Sequence, residues 1–171
     1  MPHIKTLILA CIALMAAPML AHAQLAGTLS GPKFVEAAGI ADRFEIEAGR
    51  LAIEKSENTR IKVLATQLVA DHTHALAGLK AAAAKADGQI VVPSTLDPKH
   101  EAKIEQLKAA TGADFDALFV QMQTSAHDAA IGIFASFAKD GDQSALKDHA
   151  AETLPMLERH FERIKQIQIK T

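Results

Sequence analysis

The sequence predicts an all-α protein of four long helices and one short helix. Hydrophobic residues make up 49% of the 171 residues but aromatic residues only 4%, so the apolar content is mostly Ala, Leu, Ile and Val. Ala and Leu are strong helix formers. Apolar residues recur every three or four positions over long segments, and stretches rich in Gly, Pro, Asn or Asp separate those segments. The pattern therefore predicts helices that each bury one face.

The first two helices form a hairpin in this prediction. Helix 1 runs over about residues 32–55, because Pro32 suits a first helical turn and the polar stretch 56–58 interrupts the apolar pattern. Asn58 caps helix 2, which runs over about residues 59–86 and ends before Gly88.

The second pair of helices is separated from the first by a long connection that contains Pro93 and a short helix over about residues 97–110. Residues 111–114 interrupt the chain, and helix 3 then continues to about Lys139. After the turn at residues 140–142, Asp142 is predicted to cap helix 4. This last helix continues nearly to Lys170.

Two tight helical hairpins joined by one long connection are typical of a four-helix bundle. The connection between helices 2 and 3 is longer than about twenty residues, which is enough to travel the length of a bundle. Its length favours a ferritin-like crossover over a simple up-down meander, although it does not exclude the meander. Residues 58–65 and 143–150 also resemble each other weakly, which is consistent with a duplicated hairpin.

The first 23 residues have the pattern of a secretory signal peptide. Lys5 lies in a short n-region, an apolar run spans residues 7–20, and small residues at Ala21 and Ala23 fit cleavage after Ala23. The mature chain is then periplasmic, with a flexible leader at residues 24–31, one bundle domain at residues 32–171 and no transmembrane span. A lipobox at residues 8–11 is the alternative, but cleavage there would leave part of the apolar run exposed.

Composition argues against several classes of function. Cys11 is the only cysteine and lies in the predicted signal peptide, so the mature chain has no disulfide and no thiolate. The formal net charge is -2 and no basic patch is interleaved with aromatic residues, so nucleic acid is not an expected partner. No acid–base pair, nucleophile or phosphate loop can be assigned, so the sequence does not favour an enzyme.

Polar residues interrupt the apolar faces of several helices. His72 lies in the apolar stripe of helix 2, and Glu45 interrupts a stripe of small residues on helix 1. Counting from the turn between these helices places the two within roughly 5 Å of height at the helical rise per residue. His127 lies at the middle of helix 3, so it reaches the same level whichever way that helix runs.

These residues predict a transition-metal site in the bundle. A carboxylate and two or three imidazoles can bind zinc, copper or iron. The predicted ligands are Glu45, His72 and His127, with His160 or His149 of helix 4 completing the set. The alternative is that each buried histidine only makes a structural hydrogen bond. His100 is predicted to lie on the surface.

Several motifs resemble those of the domain of unknown function 4142 family of bacterial envelope proteins. They are Phe34, Glu45-Ile-Glu47-Ala-Gly49, Val69-Ala-Asp71-His72, the segment 112–116, His127, Leu154-Pro155 and His160. The resemblance covers nearly the whole mature chain. It implies a periplasmic, ferritin-like four-helix bundle without demonstrated activity, in which His72, His127 and His160 occupy positions where the family carries histidine.

The resemblance does not extend to a di-iron centre. Functional di-iron ferritin-like proteins carry Glu-x-x-His on two helices, whereas Val69 and Leu157 stand at the matching positions before His72 and His160. A mononuclear or histidine-rich site therefore fits the sequence better than a ferritin-type site.

Two functions are consistent with the sequence. The first is a periplasmic bundle that binds a transition metal for metal handling or stress protection. The alternative is a non-enzymatic envelope or stress protein that presents a surface to an unidentified envelope partner and has structural or pH-responsive histidines. Loss of metal in His72→Ala and His127→Ala would distinguish the first from the second.

Overall fold

The computed structural model describes residues 29–167, and over this range the chain forms five α-helices and no strand. The helices are α1 (Gly31–Lys55), α2 (Thr59–Lys85), α3 (Pro98–Ala109), α4 (Gly112–Asp140) and α5 (Ser144–Lys165). The predicted all-α class is confirmed, and the elements follow the predicted order. The predicted signal peptide and most of the predicted leader lie outside the described residues. No helix of the described part is both long and apolar enough to cross a membrane.

The predicted cap of the second helix is present, and the short helix α3 also has a side-chain cap. The Asn58 side chain accepts a hydrogen bond from the Arg60 N–H at 3.0 Å, at the start of α2. The Asp97 side chain accepts one from the His100 N–H at 2.8 Å, at the start of α3. Such bonds satisfy N–H groups that have no partner within their own helix.

The predicted cap of the last helix is wrong. Gln143 occupies the N-cap position of α5, and its side chain makes no capping hydrogen bond there. Asp142 Oδ1 instead accepts a hydrogen bond from the Gly31 N–H at 2.8 Å. Gly31 is the first residue of α1, so Asp142 caps a helix that lies 111 positions away in the sequence. The sequence signal for a cap was correct, but the packing of the helices decides which helix receives it.

Each long helix packs mainly against two others. α1 contacts α2 and α4, α5 contacts α2 and α4, and α3 lies against α1 and α4. The interior contains two apolar clusters. Cluster A lies where the first turns of α1 and α5 meet the last turns of α2 and α4. Its largest members are Phe34, Leu79, Phe134, Phe137, Leu146 and Leu157. Cluster B joins the opposite ends with α3, through Phe44, Ile61, Leu68, Leu107, Phe115, Phe119 and Ile164.

The clusters define the direction of each helix. Because the ends of α2 and α4 both lie in cluster A, these two helices run in the same direction. The chain between them must then return along the molecule, and Val92 packs on cluster A while Leu96 packs on cluster B. The Arg43 Nε–H donates to the Pro93 carbonyl at 2.6 Å and attaches this connection to α1.

A layer of buried polar side chains separates the two apolar clusters. On α2, α4 and α5 these polar residues fall between members of the two clusters along the sequence. On α1, Asp42 does so as well, whereas Glu45 directly follows Phe44 of cluster B. The layer consists of Asp42, Glu45, His72, Gln123, His127 and His160.

We predict that Asp142→Ala destabilises the protein by about 1 kcal/mol, because it removes the side-chain partner of the first N–H of α1. Urea unfolding followed by circular dichroism measures this change. Asp128→Ala is the control, since Asp128 is exposed in the middle of α4 and Ala is the better helix former there. Equal stability of Asp142→Ala and wild type would contradict the assigned cap.

Candidate metal centre

Three histidines from three helices meet in the polar layer. His72 lies on α2, His127 on α4 and His160 on α5, and all three are at most 2% exposed. Their ring centroids are separated by 5.6 Å for His72 and His127, 5.5 Å for His72 and His160, and 5.6 Å for His127 and His160. One ring nitrogen from each histidine lies within 4.8 Å of those of the other two. We call this group the histidine triad.

Each imidazole of the triad is held by a single hydrogen bond on its outer side. The bonds run from His72 Nδ1–H to Asp42 Oδ1 at 2.8 Å, from His127 Nδ1–H to the Gln123 carbonyl at 3.0 Å, and from His160 Nε2–H to Asp71 Oδ2 at 2.8 Å. Such bonds define which ring nitrogen carries the proton and fix the orientation of the ring. In proteins, histidine ligands of metals are commonly held in this way.

The opposite ring nitrogens are available as donors to a metal. His72 Nε2, His127 Nε2 and His160 Nδ1 are all buried, and no described residue forms a hydrogen bond with any of them. Three buried lone pairs without partners are unfavourable in an apolar interior. An ion bound at about 2.0 Å would have its nitrogen ligands about 3.3 Å apart, so a small inward movement of the rings would complete such a site.

The triad is uncharged at neutral pH. Burial lowers the pKa of His72 and of His160 to about 4. Burial lowers the pKa of His127 to about 3, with further lowering from the two neighbouring histidines. Neutral imidazole is the form that coordinates a metal.

Two buried carboxyl groups accompany the triad. Asp42 and Glu45 are each only 3% exposed, and burial raises the pKa of each to about 8. Asp42 Oδ2 and Glu45 Oε2 have no hydrogen-bond partner among the described residues. A bound cation would favour the ionised form of both groups.

Glu45 lies beside His127 and is not a member of the triad. Its Oε1 is 3.8 Å from His127 Nδ1, which is the protonated nitrogen of that ring. The structure therefore brings Glu45 to the predicted level and into contact with one predicted ligand. It approaches the triad from the outer side of His127.

His160, rather than His149, lies next to the other two histidines. His149 is buried toward cluster A, where its ring centroid is 6.3 Å from that of Phe134. A Cβ added at Gly78 would lie 3.2 Å from His149 Nδ1, so the missing side chain of this glycine leaves room for the ring. His100, predicted to lie on the surface, is half-buried because its ring packs 5.4 Å from that of Phe44.

Three partners of the triad were not predicted: Asp42, Asp71 and Gln123. Asp42 precedes Glu45 by three positions, so both lie on one face of α1, and this spacing could have identified it. Asp71 directly precedes His72 in the sequence, but its partner His160 lies 89 positions away, which no local pattern reveals. Gln123 contributes its backbone carbonyl to His127, and a backbone contact has no signature in residue type.

Comparison with known proteins identifies the family. The family described as Domain of unknown function (DUF4142) matches residues 15–167. The chain belongs to the DUF4142 family. This confirms the resemblance that the motifs indicated. The curated proteins include no match to this DUF4142 chain.

One solved structure shares the fold of this DUF4142 protein. It is described as CopM in the Cu(II)-bound form. The alignment has a TM-score of 0.68 and covers 82% of this chain and 96% of that one, at 16% sequence identity. At this identity the similarity shows a common helical fold and carries no residue-level correspondence.

We predict that Glu45→Gln makes the metal-free protein more stable relative to wild type as the pH rises from 5 to 8. The pKa of Glu45 is about 8 in the folded state, whereas a carboxyl in the unfolded chain titrates near its ordinary value of about 4.3. Between these values the folded wild type binds the extra proton, so its stability falls by about 1 kcal/mol per pH unit. Glu45→Gln does not lose stability in this way, because glutamine has no carboxyl group to titrate.

Urea unfolding in the presence of a chelator, repeated across this pH range, measures the difference. Glu47→Gln is the matched control, because Glu47 is exposed on the same helix. A constant stability difference between Glu45→Gln and wild type at every pH would show that Glu45 is ionised in the folded protein.

Proposed function

We propose that this DUF4142 protein is a periplasmic, ferritin-like four-helix bundle that binds one transition-metal ion for metal handling or stress protection. The ligands in this proposal are His72, His127 and His160, and Glu45, which lies beside the outer nitrogen of His127 at 3.8 Å, supplies negative charge near the ion rather than a fourth bond to it. The observation that carries it is the triad itself, since three buried imidazoles each have one nitrogen that lies within 4.8 Å of the others and has no hydrogen-bond partner among the described residues. Each ring is also held from behind by a hydrogen bond.

The surrounding charges support a divalent cation. A buried double positive charge needs anionic groups nearby, because the protein interior solvates an ion poorly. Asp42 and Glu45 are buried within the same layer and each has one unpaired oxygen. On metal binding both would ionise and offset the charge, and their protons would be released.

The chemistry of the donors narrows the choice of metal. Imidazole suits zinc, copper and iron, whereas magnesium and calcium prefer oxygen ligands. The fold shared with a protein solved in a Cu(II)-bound form makes copper the first ion to test. The residues at positions 69 and 157 are Val and Leu, which supports a mononuclear site over a di-iron site.

A purely structural role for the histidines is less well supported. Within residues 29–167 each imidazole makes only one hydrogen bond, and its second nitrogen is buried without a partner there. Leaving a buried polar atom unsatisfied costs about 1–3 kcal/mol. Three such atoms facing one another are explained by an ion that satisfies all three at once.

We expect wild-type protein, purified without a histidine tag, to contain close to one equivalent of copper or zinc by elemental analysis. His72→Ala/His127→Ala should lose this metal, because two of the three nitrogen donors are removed. His74→Ala is the matched control, since His74 is exposed two positions from His72 on the same helix. Wild type that carries no metal, and gains none on titration with zinc, copper or ferrous iron, would contradict the proposed function.

We also expect Glu45→Gln to weaken metal binding by about 10–100-fold while the stoichiometry stays the same, because it removes one anionic group but no imidazole. Competition with a chromogenic chelator at pH 7 measures the affinity. Glu47→Gln should bind as wild type does. Unchanged affinity in Glu45→Gln would show that the charge of Glu45 does not contribute to metal binding, and would leave the triad in place.

A further inference from the structure

A groove opens on the face of the molecule between α2 and α5. Its volume is about 320 Å³, and its polar or sulfur-containing lining includes Asp71, His74, His149, Glu152, Met156 and Arg159. His74, Glu152 and Arg159 are exposed, whereas His149 is only 7% exposed. The groove is therefore open to solvent and extends to buried side chains.

The imidazole ring of His160 separates this groove from the free nitrogens at the centre of the triad. Asp71 lines the groove with a side chain that is 36% exposed. Its Oδ2 accepts the hydrogen bond from His160 Nε2 at 2.8 Å, and the opposite nitrogen of the same ring faces the triad. A displacement of Asp71 and His160 would thus open a direct passage between solvent and the three free nitrogens.

The face of the polar layer between α1 and α4 is covered. α3 packs against both α1 and α4, and the connection before it is held on α1 by Arg43. Within residues 29–167, no comparable segment lies over the contact between α2 and α5. Asp71 is also more exposed than Asp42, which is the other carboxylate bonded to the triad.

The groove carries donors that suit a transition-metal ion in transit. His74 and His149 offer imidazole, Glu152 offers a carboxylate and Met156 offers a thioether. His149 Nε2 is buried and has no hydrogen-bond partner among the described residues. In the described part of the chain, only the triad brings three donors close enough to hold an ion firmly. Groove donors that are spread apart would bind an ion weakly and release it readily.

We propose that this groove is the entry route by which the metal ion reaches the triad. His74 and Glu152 first hold the ion, Asp71 receives it, and His160 turns outward to transfer it to the buried site. Arg159 opposes the approach of a cation and slows entry. This inference rests on the proposed metal-binding function, because a route has meaning only if the triad binds an ion.

The test compares the rates of loading and release of Cu²⁺ in wild type and in His74→Ala/Glu152→Gln. Stopped-flow absorbance of the copper d–d bands follows loading, and a competing chelator follows release. We expect both rates to fall about tenfold with unchanged affinity, because the route is altered while the bound and free states keep all ligands. Arg159→Gln should load faster than wild type.

His100→Ala/Glu158→Gln is the matched control, with the same two kinds of substitution at residues that do not line the groove. It should load and release at wild-type rates. Loading by His74→Ala/Glu152→Gln at the rate of this control would overturn the entry route while leaving the triad intact. Wild type that takes up no Cu²⁺ would instead contradict copper binding at the triad, and it would also contradict the proposed entry route.

Discussion

The burial of three imidazoles at one level of the interior is the constraint on which the rest of the structure depends. Such groups are tolerated there only if they stay neutral and if their N–H groups have partners. Asp42, Asp71 and the Gln123 carbonyl provide those partners, and each comes from α1, α2 or α4. The two apolar clusters above and below the layer supply the packing that holds the helices at the required separation.

The hydrogen bond on the outer nitrogen of each imidazole determines that its inner nitrogen is free. A ring whose proton is fixed on one nitrogen presents its lone pair on the other, so the partners of the histidines decide what the interior can bind. The same burial that keeps the imidazoles neutral also raises the pKa of Asp42 and of Glu45 to about 8, so that both groups can hold a proton near neutral pH. A metal ion would exchange those protons for its own charge, which links occupancy of the site to proton release.

The fold was largely predictable because helix signals are local. The apolar periodicity, Asn58 as a cap, and the glycine- and proline-containing breaks placed the helices close to their observed bounds, except that the last helix ends at Lys165 and not near Lys170. The position of His72 and His127 followed from helix periodicity and from distance to a turn. The choice of His160 over His149, and the roles of Asp71 and Asp142, depend on how α5 packs against α2 and how the turn before it meets α1. Those contacts join residues 89 and 111 positions apart, and no local pattern encodes them.

The distribution of the histidines along the chain has a consequence for assembly. The hairpin of α1 and α2 contributes one imidazole and both buried carboxyl groups, while the hairpin of α4 and α5 contributes two imidazoles. Neither hairpin alone contains the complete donor set, so the set exists only after the two halves have docked. An ion bound there would link the two hairpins, and its retention would indicate that the whole molecule has folded correctly.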